Sequence, residues 1–247
     1  MIDIHTHILP GIDDGSKDFF MTEAMLREEA EQGITLIAAT PHFYPDRMSV
    51  EGFLDQRSSA LECAEEIRGQ SMIPLPAIVC GSEVYYFSGI GQAEMIPRLC
   101  IGSSRALLLE LPFEQWEAPL LSDLRDLLNR GLRIILAHVE RYEQFQHKRD
   151  VWDSVMALPV MKQINAGSFL KAPGISGLLA GNRKRAFCMK FLREHPETLI
   201  GSDCHNITGR KPNLAPAAKV ISSRLGEELL ARTQQAARTA LELNAPE

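Results

Sequence analysis

Met1-Ile2-Asp3-Ile4-His5-Thr6-His7-Ile8-Leu9-Pro10-Gly11-Ile12-Asp13-Asp14-Gly15 opens the chain, and the rest of the sequence is organised around it. Ile2 and Ile4 alternate as in a buried strand. Side chains two apart on a strand point the same way, so His5 and His7 share a face. Two imidazoles converge on one point, and two carboxylates follow in a turn containing Gly and Pro. Neutral imidazole with carboxylate is the ligand set that suits zinc, manganese and iron. A solvent-facing pair of histidines has the same local pattern, so the metal reading depends on matching ligands from other segments.

Working outward, Ser16 or Asp18 caps a helix over about 18–32, with Met21, Ala24, Met25 and Leu26 as its apolar stripe and Gly33 as its stop. A β-rich run from Ile34 to Thr40 ends at Pro41-His42, and a helix over about 51–69 closes at Gly69. A third strand, Leu75 to Cys80, leads into Gly81-Ser82-Glu83, and a fourth, Arg105 to Leu111, contains Glu110. A helix at 115–130 precedes a fifth strand, Leu132 to Ala137, which runs into His138-Val139-Glu140-Arg141. After a helix near 149–157 come a sixth strand, Val160 to Asn165, and a helix over about 181–194. A short seventh strand, Thr198 to Gly201, enters Ser202-Asp203-Cys204-His205-Asn206, and two further helices finish the chain.

Strands alternating with helices at this rhythm imply parallel strands joined by right-handed crossovers, and seven such units describe an α/β barrel. An open doubly wound sheet is the structural alternative, but it gathers its ligand site at one switch point. Here His5, His7, His42, Glu83, Glu110, His138, Asp203 and His205 all fall at or just beyond strand C-terminal ends, where barrel active sites are built. His147 and His195 lie elsewhere and read as surface residues. A length of 247 residues is compatible with one barrel domain spanning 1–247.

Hydrophobic residues make up 45% and charged residues 23%, as in a globular protein with a large core. The net charge of -6 argues against broad nucleic-acid or anionic-membrane binding. Five cysteines without C-x-x-C spacing describe no disulfide framework and fit a reducing compartment, read here as cytoplasmic. There is no basic and apolar leader and no apolar run of ~18 residues, so neither secretion nor membrane insertion is expected.

Five histidines with the carboxylates Asp14, Glu83, Glu110 and Asp203 are too many ligands for one tetrahedral ion, so two or three divalent ions are expected. Four carboxylates outweigh a single divalent cation, whereas three cations leave a positive site that attracts an anion. Clusters of ions ~3.5–4 Å apart are the usual machinery of phosphoester hydrolysis. Manganese, iron or zinc fits the mixed oxygen and imidazole donors.

The ordered motifs I-D-x-H-x-H with D-D-G-S, T-P-His42, G-S-Glu83, Glu110-L, His138-x-E-Arg141-Y and S-Asp203-x-His205-N resemble the polymerase and histidinol phosphatase (PHP) superfamily. More narrowly, they are similar to the bacterial manganese-dependent protein-tyrosine phosphatases of capsule and exopolysaccharide systems. The resemblance implies a distorted (β/α)7 barrel with a trinuclear site. It implies that His5, His7, Glu83 and Asp203 hold one ion, Glu83, Glu110 and His138 a second, and Asp14, His42 and His205 a third, with Glu83 bridging. Arg141 and Arg210 match positions that grip the substrate phosphate, and a metal-bridging hydroxide is the expected nucleophile. The implied substrate is a phosphotyrosyl protein, a tyrosine kinase of polysaccharide export being the expected partner. A PHP-type phosphatase of a small metabolite such as histidinol phosphate is the alternative.

Two other chemistries compete. Cys204 to Arg210 satisfies the bare C-x5-R spacing of a thiolate phosphatase, although Cys204 between two ligand positions should point away from them. A structural metal site would be closed, with four ligands including cysteine, unlike this set. The four tyrosines follow the ligand positions closely: Tyr44, Tyr85, Tyr86 and Tyr142. With Phe43, Phe87, Phe113 and Trp116 they are expected to form an aromatic rim, one of Tyr85 and Tyr86 serving only to pack the loop.

Overall fold

The computed structural model describes residues 1–116, 119–142, 149–171 and 175–243. His147 lies outside these, and His195 is exposed, as expected of a surface residue. Strands β1 (Ile2–Thr6), β2 (Leu36–Ala39) and β4 (Ala77–Cys80) pair side by side. A second ladder runs β3 (His42–Phe43), β5 (Glu83–Tyr85), β6 (Ala106–Glu110), β7 (Arg133–Leu136), β8 (Met161–Asn165) and β9 (Leu199–Gly201). Every strand pairing is parallel. The expected second strand is β2, and a separate short strand, β3, begins beyond Pro41, which has no N–H to give the ladder. The expected third strand is β4, with a separate strand β5 starting at Glu83; Gly81 N donates to Ala39 O and Glu83 N to Pro41 O, so both pairs run on as one curled surface.

The last strand returns to the first. Asp203 N donates to His5 O at 2.8 Å and His7 N to Cys204 O at 2.9 Å, which makes the fold the distorted seven-unit barrel that the strand rhythm implies.

Helix α1 (Phe19–Glu31) starts at Asp18, whose carboxylate accepts from Met21 N; Ser16, the other candidate cap, instead bonds the Thr22 hydroxyl. Ser49 caps α2 (Val50–Gln70), and α3 (Pro119–Asn129) and α4 (Arg149–Met156) fall within or on the expected spans. Helix α5 (Ile175–Glu194) begins earlier than 181, running through Gly177 and Gly181, which read locally as breakers. Among the described residues, no helix is long and apolar enough to cross a membrane.

Outward-facing strand residues such as Ile37, Leu107, Leu109 and Leu136 join one core with Met25, Leu26, Leu124 and Leu127 of the helices. Inward-facing Ile4, Ala38, Leu108, Ile135 and Leu199 form a second, smaller core. The C-terminal helices α6 (Leu214–Leu225) and α7 (Glu227–Ala240), for which the sequence offered no signature, explain its floor. Ala237, Ala240 and Leu241 belong to that inner core, and the Gln234 side chain accepts from Ile2 N and donates to Ile2 O. Thus α7 closes the bottom of the barrel, leaving the opposite end for polar side chains.

Candidate metal centre

Strict alternation would place His5 with Asp3, on the outward face. The β1–β2 register prevents this: Asp3 pairs with Ile37 but Thr6 with Ala39, so β1 carries one extra residue. Such bulges re-aim side chains at barrel rims. Asp3 stays outside, accepting from Ser202 N and His5 N, while His5 turns inward and its Nδ1 lies 3.3 Å from Gln163 Oε1. The sequence placed both histidines on one face correctly, but the device that aims them inward needs a neighbouring strand to be seen.

All nine expected ligands meet at this end. His5, His7, Glu83 and Asp203 form one buried group, and His42, Asp14 and His205 form another that His7 also adjoins. Glu83 is central: its Oε2 lies 3.1, 3.3 and 3.0 Å from His5 Nε2, His7 Nε2 and His42 Nδ1. Its Oε1 lies 2.9 Å from His138 Nε2, which is 3.3 Å from Glu110. A third group joins Glu83 and Glu110 with His42, so His42 stands between two groups where the family pattern gives it only one. Asp14 Oδ1, on an exposed side chain, is 3.5 Å from His42 Nε2 and 3.3 Å from His205 Nε2.

These residues fit divalent cations better than they fit one another. Glu83 Oε2, His42 Nδ1 and His205 Nε2 are buried without an aligned hydrogen bond, although each lies close to an oppositely charged or polar atom. His5 Nε2 and His7 Nε2 face each other at 3.1 Å. Buried polar atoms seldom lack partners, and a cluster of them marks a site for an ion. The electrostatics agree. Burial works against the Glu83 carboxylate, but His5 and the His138 hydrogen bond hold it well below the usual range. Asp203 is likewise lowered against burial by His5 and His7. Burial disfavours charge on His138, yet Glu110 and Glu83 push its pKa up to about 9. Glu83 and Asp203 stay anionic, and a proton is held on His138 in place of metal.

Supporting contacts went unread in the sequence. Asp13 Oδ2 accepts from His7 Nδ1 at 2.7 Å and from His42 N at 3.0 Å, so it orients one ligand and fixes the backbone of another. Gln163 Oε1 accepts from His138 N at 2.6 Å, and Asn165 Nδ2 donates to Asp203 Oδ2. His138 (φ 34°) and Asp203 (φ 54°) adopt the left-handed region, uncommon for non-glycine residues and frequent at functional sites. The D-D-G-S glycine has a steric reason: a Cβ on Gly15 would lie 2.2 Å from His7 O. Gly15→Ala should therefore displace the loop carrying Asp13 and Asp14, destabilising the protein by about 1–3 kcal/mol. A lowered melting temperature together with reduced bound metal checks this.

A cleft of ≈ 590 Å³ opens above the cluster, and both Arg141 and Arg210 line it. Arg210 Nη2 donates to both oxygens of Asp203 at 2.9 and 2.8 Å, whereas Arg141 lies over the Phe113 ring, 4.9 Å from its centroid. Tyr44, Tyr85, Phe87 and Phe113 form the aromatic wall. Tyr86, at one edge, is mostly buried and donates to Asp123, the packing role allotted to one of the pair. Three rim expectations are corrected. Tyr142 is fully buried; its oxygen accepts from Leu111 N, and Trp116 packs edge-on against it, so both belong to the core beneath the loops. Phe43 is also buried.

Cys204 faces away from the cluster, with Sγ 3.6 Å from Glu29 Oε1, and burial followed by repulsion from Glu29 pushes its thiol well above the ordinary value. Buried and aimed away from the cleft, the thiol gives thiolate chemistry no support in this geometry.

A parallel α/β barrel whose rim gathers histidines and carboxylates into adjoining ligand groups beneath an open cleft defines the class of metal-dependent barrel hydrolases. Comparison narrows this. A family model described as capsular polysaccharide synthesis, CpsB/CapC, matches residues 1–240, and the chain belongs to that family. It is 26% identical over 230 residues to the tyrosine-protein phosphatase CpsB of Streptococcus agalactiae serotype III, covering 92% of each chain. To the tyrosine-protein phosphatase YwqE of Bacillus subtilis it is 26% identical over 234 residues, covering 93% of this chain and 87% of that one. A chain from the crystal structures of YwqE and Streptococcus pneumoniae CpsB, described as metal-dependent tyrosine phosphatases, superposes with a TM-score of 0.84 at 25% identity, covering 100% of this chain and 96% of that one.

Proposed function

We propose that this protein is a metal-dependent protein-tyrosine phosphatase, with a phosphotyrosyl protein as substrate and a bacterial tyrosine kinase of polysaccharide export as its partner. The observation that carries the reading is the placement of the ligand cluster at the base of a cleft that is walled by aromatic rings and bordered by two arginines. His5, His7, Glu83 and Asp203 would hold one ion; Glu83, Glu110 and His138, with His42 close by, a second; Asp14, His42 and His205 a third. Manganese is the proposed metal. Divalent ions supply a nucleophile at neutral pH by lowering the pKa of water to ~7, and they polarise phosphoryl oxygens.

The remaining work belongs to the chain's own residues. Asp13 fixes the tautomer of His7, leaving Nε2 for the cluster. Phe113 holds the Arg141 guanidinium at the cleft wall, where its fork matches phosphoryl oxygens. Arg210 already binds a carboxylate with two contacts and is placed to do the same for phosphate. Tyr44 and Tyr85, with ring centroids 5.7 Å apart, offer an aryl ring offset-stacking contacts worth about 0.5–1.5 kcal/mol each. Burial and the neighbouring Glu110 and Glu83 keep the Tyr44 phenol protonated, so it presents an uncharged ring. A phenolate leaving group, with a pKa of ~10, needs less protonation than an alkoxide, and no side chain is assigned as its general acid.

The test compares kcat/KM on a phosphotyrosyl peptide, its phosphoseryl counterpart and histidinol phosphate at one manganese concentration. The phosphotyrosyl peptide should lead the phosphoseryl one by at least about 10-fold, a ratio one to two stacking contacts can supply. Fastest turnover of histidinol phosphate would instead make the protein a metabolite phosphatase and reduce the aromatic wall to loop packing.

A further inference from the structure

Beyond Tyr44 lies a second cavity, of ≈ 430 Å³. It shares Asp14, His42, Tyr44 and Arg47 with the catalytic cleft, so the two are separated by a single wall. That wall is built: the Arg47 guanidinium sits over the Tyr44 ring, 4.2 Å from its centroid, and Tyr44 in turn packs against His42 at 5.2 Å. The far side pairs an apolar floor with a polar edge of Asp13, Asp14 and Gln56. Phe43 and Phe53, with centroids 5.1 Å apart, are buried at its floor, and half-buried Ile12 and Met48 complete it.

Such a cavity disfavours a phosphate or carboxylate, because Asp13 and Asp14 repel an anion, Arg47 is engaged over Tyr44, and the ring floor offers a charge no partner. It does suit one aliphatic side chain. The occupant must also reach the cleft. An extended peptide advances ~3.3 Å per residue. A residue one or two positions from a phosphotyrosine in the cleft therefore spans a wall one ring thick. Continuity of the two cavities, the apolar floor and this spacing point to a single occupant.

Resting on the phosphotyrosine reading above, we infer that the cavity floored by Phe43, Phe53 and Met48 is a specificity subsite for an aliphatic side chain within two residues of the phosphotyrosine. Tyr44 and Arg47 form the ridge over which the peptide backbone crosses. The enzyme thereby reads sequence around its target as well as the phosphorylated ring.

The experiment uses the full, manganese-loaded chain and phosphotyrosyl peptides that differ only in carrying Leu, Ala or Asp at each of the two positions on either side. p-Nitrophenyl phosphate, which has no flanking residue, is the reference. Wild-type protein should prefer Leu to Ala by about 10-fold in kcat/KM at one position, the scale set by filling a hydrophobic pocket. Met48→Asp should erase that preference while p-nitrophenyl phosphate turnover stays within about twofold; Met48→Leu, which keeps the volume, should retain it. Equal turnover of the Leu, Ala and Asp peptides by wild type, with p-nitrophenyl phosphate still hydrolysed, would overturn the subsite and leave the phosphatase reading intact. Equal loss of p-nitrophenyl phosphate turnover in Met48→Asp would also overturn it, because the floor would then only be supporting His42 and Tyr44. Failure of wild type to hydrolyse any of these aryl phosphates would refute the underlying reading instead.

Discussion

Stripping the protein of divalent metal with a chelator should abolish turnover of a phosphotyrosyl peptide, and manganese should restore it better than magnesium. Five imidazoles point into the cluster, whereas magnesium prefers octahedral oxygen and retains several waters. Loading should also release protons, because ligands must be deprotonated to bind. His138 shows the sign. Its pKa without metal is pushed up to about 9, so at neutral pH its proton must leave, and metal affinity should strengthen as pH rises toward that value. Calorimetry in buffers of different ionisation enthalpy reads the release directly. Full activity in excess chelator, with elemental analysis confirming an empty protein, would sink the metal mechanism; an affinity that did not vary from about pH 7 to 9 would contradict the role given to His138.

Glu83→Ala should cost at least ~100-fold in kcat, the scale associated with removing a preorganised charge from a reaction centre, and Asp203→Ala and His42→Ala should lose similarly. Glu83 is expected to be the most damaging, since its two oxygens together approach four histidines. Cys204→Ser should retain most activity, because Sγ faces Glu29 and not the cleft. Metal content and melting temperature measured alongside separate lost chemistry from lost structure. The reverse pattern, with Cys204→Ser inactive and Glu83→Ala active, would establish thiolate catalysis.

Strand ends were legible in the sequence because a parallel barrel repeats one unit: an apolar run stops, and the next residue that can ionise stands at the rim. That logic located His42 after Pro41, Glu83 after Gly81-Ser82 and His138 after Ala137, all of which the structure brings together. What escaped were features defined by a partner distant in sequence. The bulge in β1 exists only against the register of β2. Gln163 reads as an ordinary strand residue until His5 and His138 are seen beside it. Glu140, in the middle of the His138-x-E-Arg141 motif, looks like another ligand, yet it is buried behind the site and accepts from Asn165 N and the Ser168 hydroxyl. Tyr142 misled for a related reason. Adjacency to a ligand fixes where a side chain starts but not which way it points, and the one-turn helix Val139–Arg141 carries it inward.

The return of β9 to β1 has a consequence for biosynthesis. Asp3 and Ser202, 199 residues apart, are hydrogen-bonded, and His5 shares its centre with Asp203. A ribosome adding about 5–20 residues per second therefore exposes His5 and His7 many seconds before the segment that completes their coordination has been made. During that interval the nascent chain carries an unfinished inner core, still open at the floor that α7 later fills. Contacts this distant in sequence also slow folding, since loop closure must precede any reward from them. The metal centre is thus among the last parts of the molecule to mature, and metal capture by the full centre is confined to chains whose synthesis has passed β9.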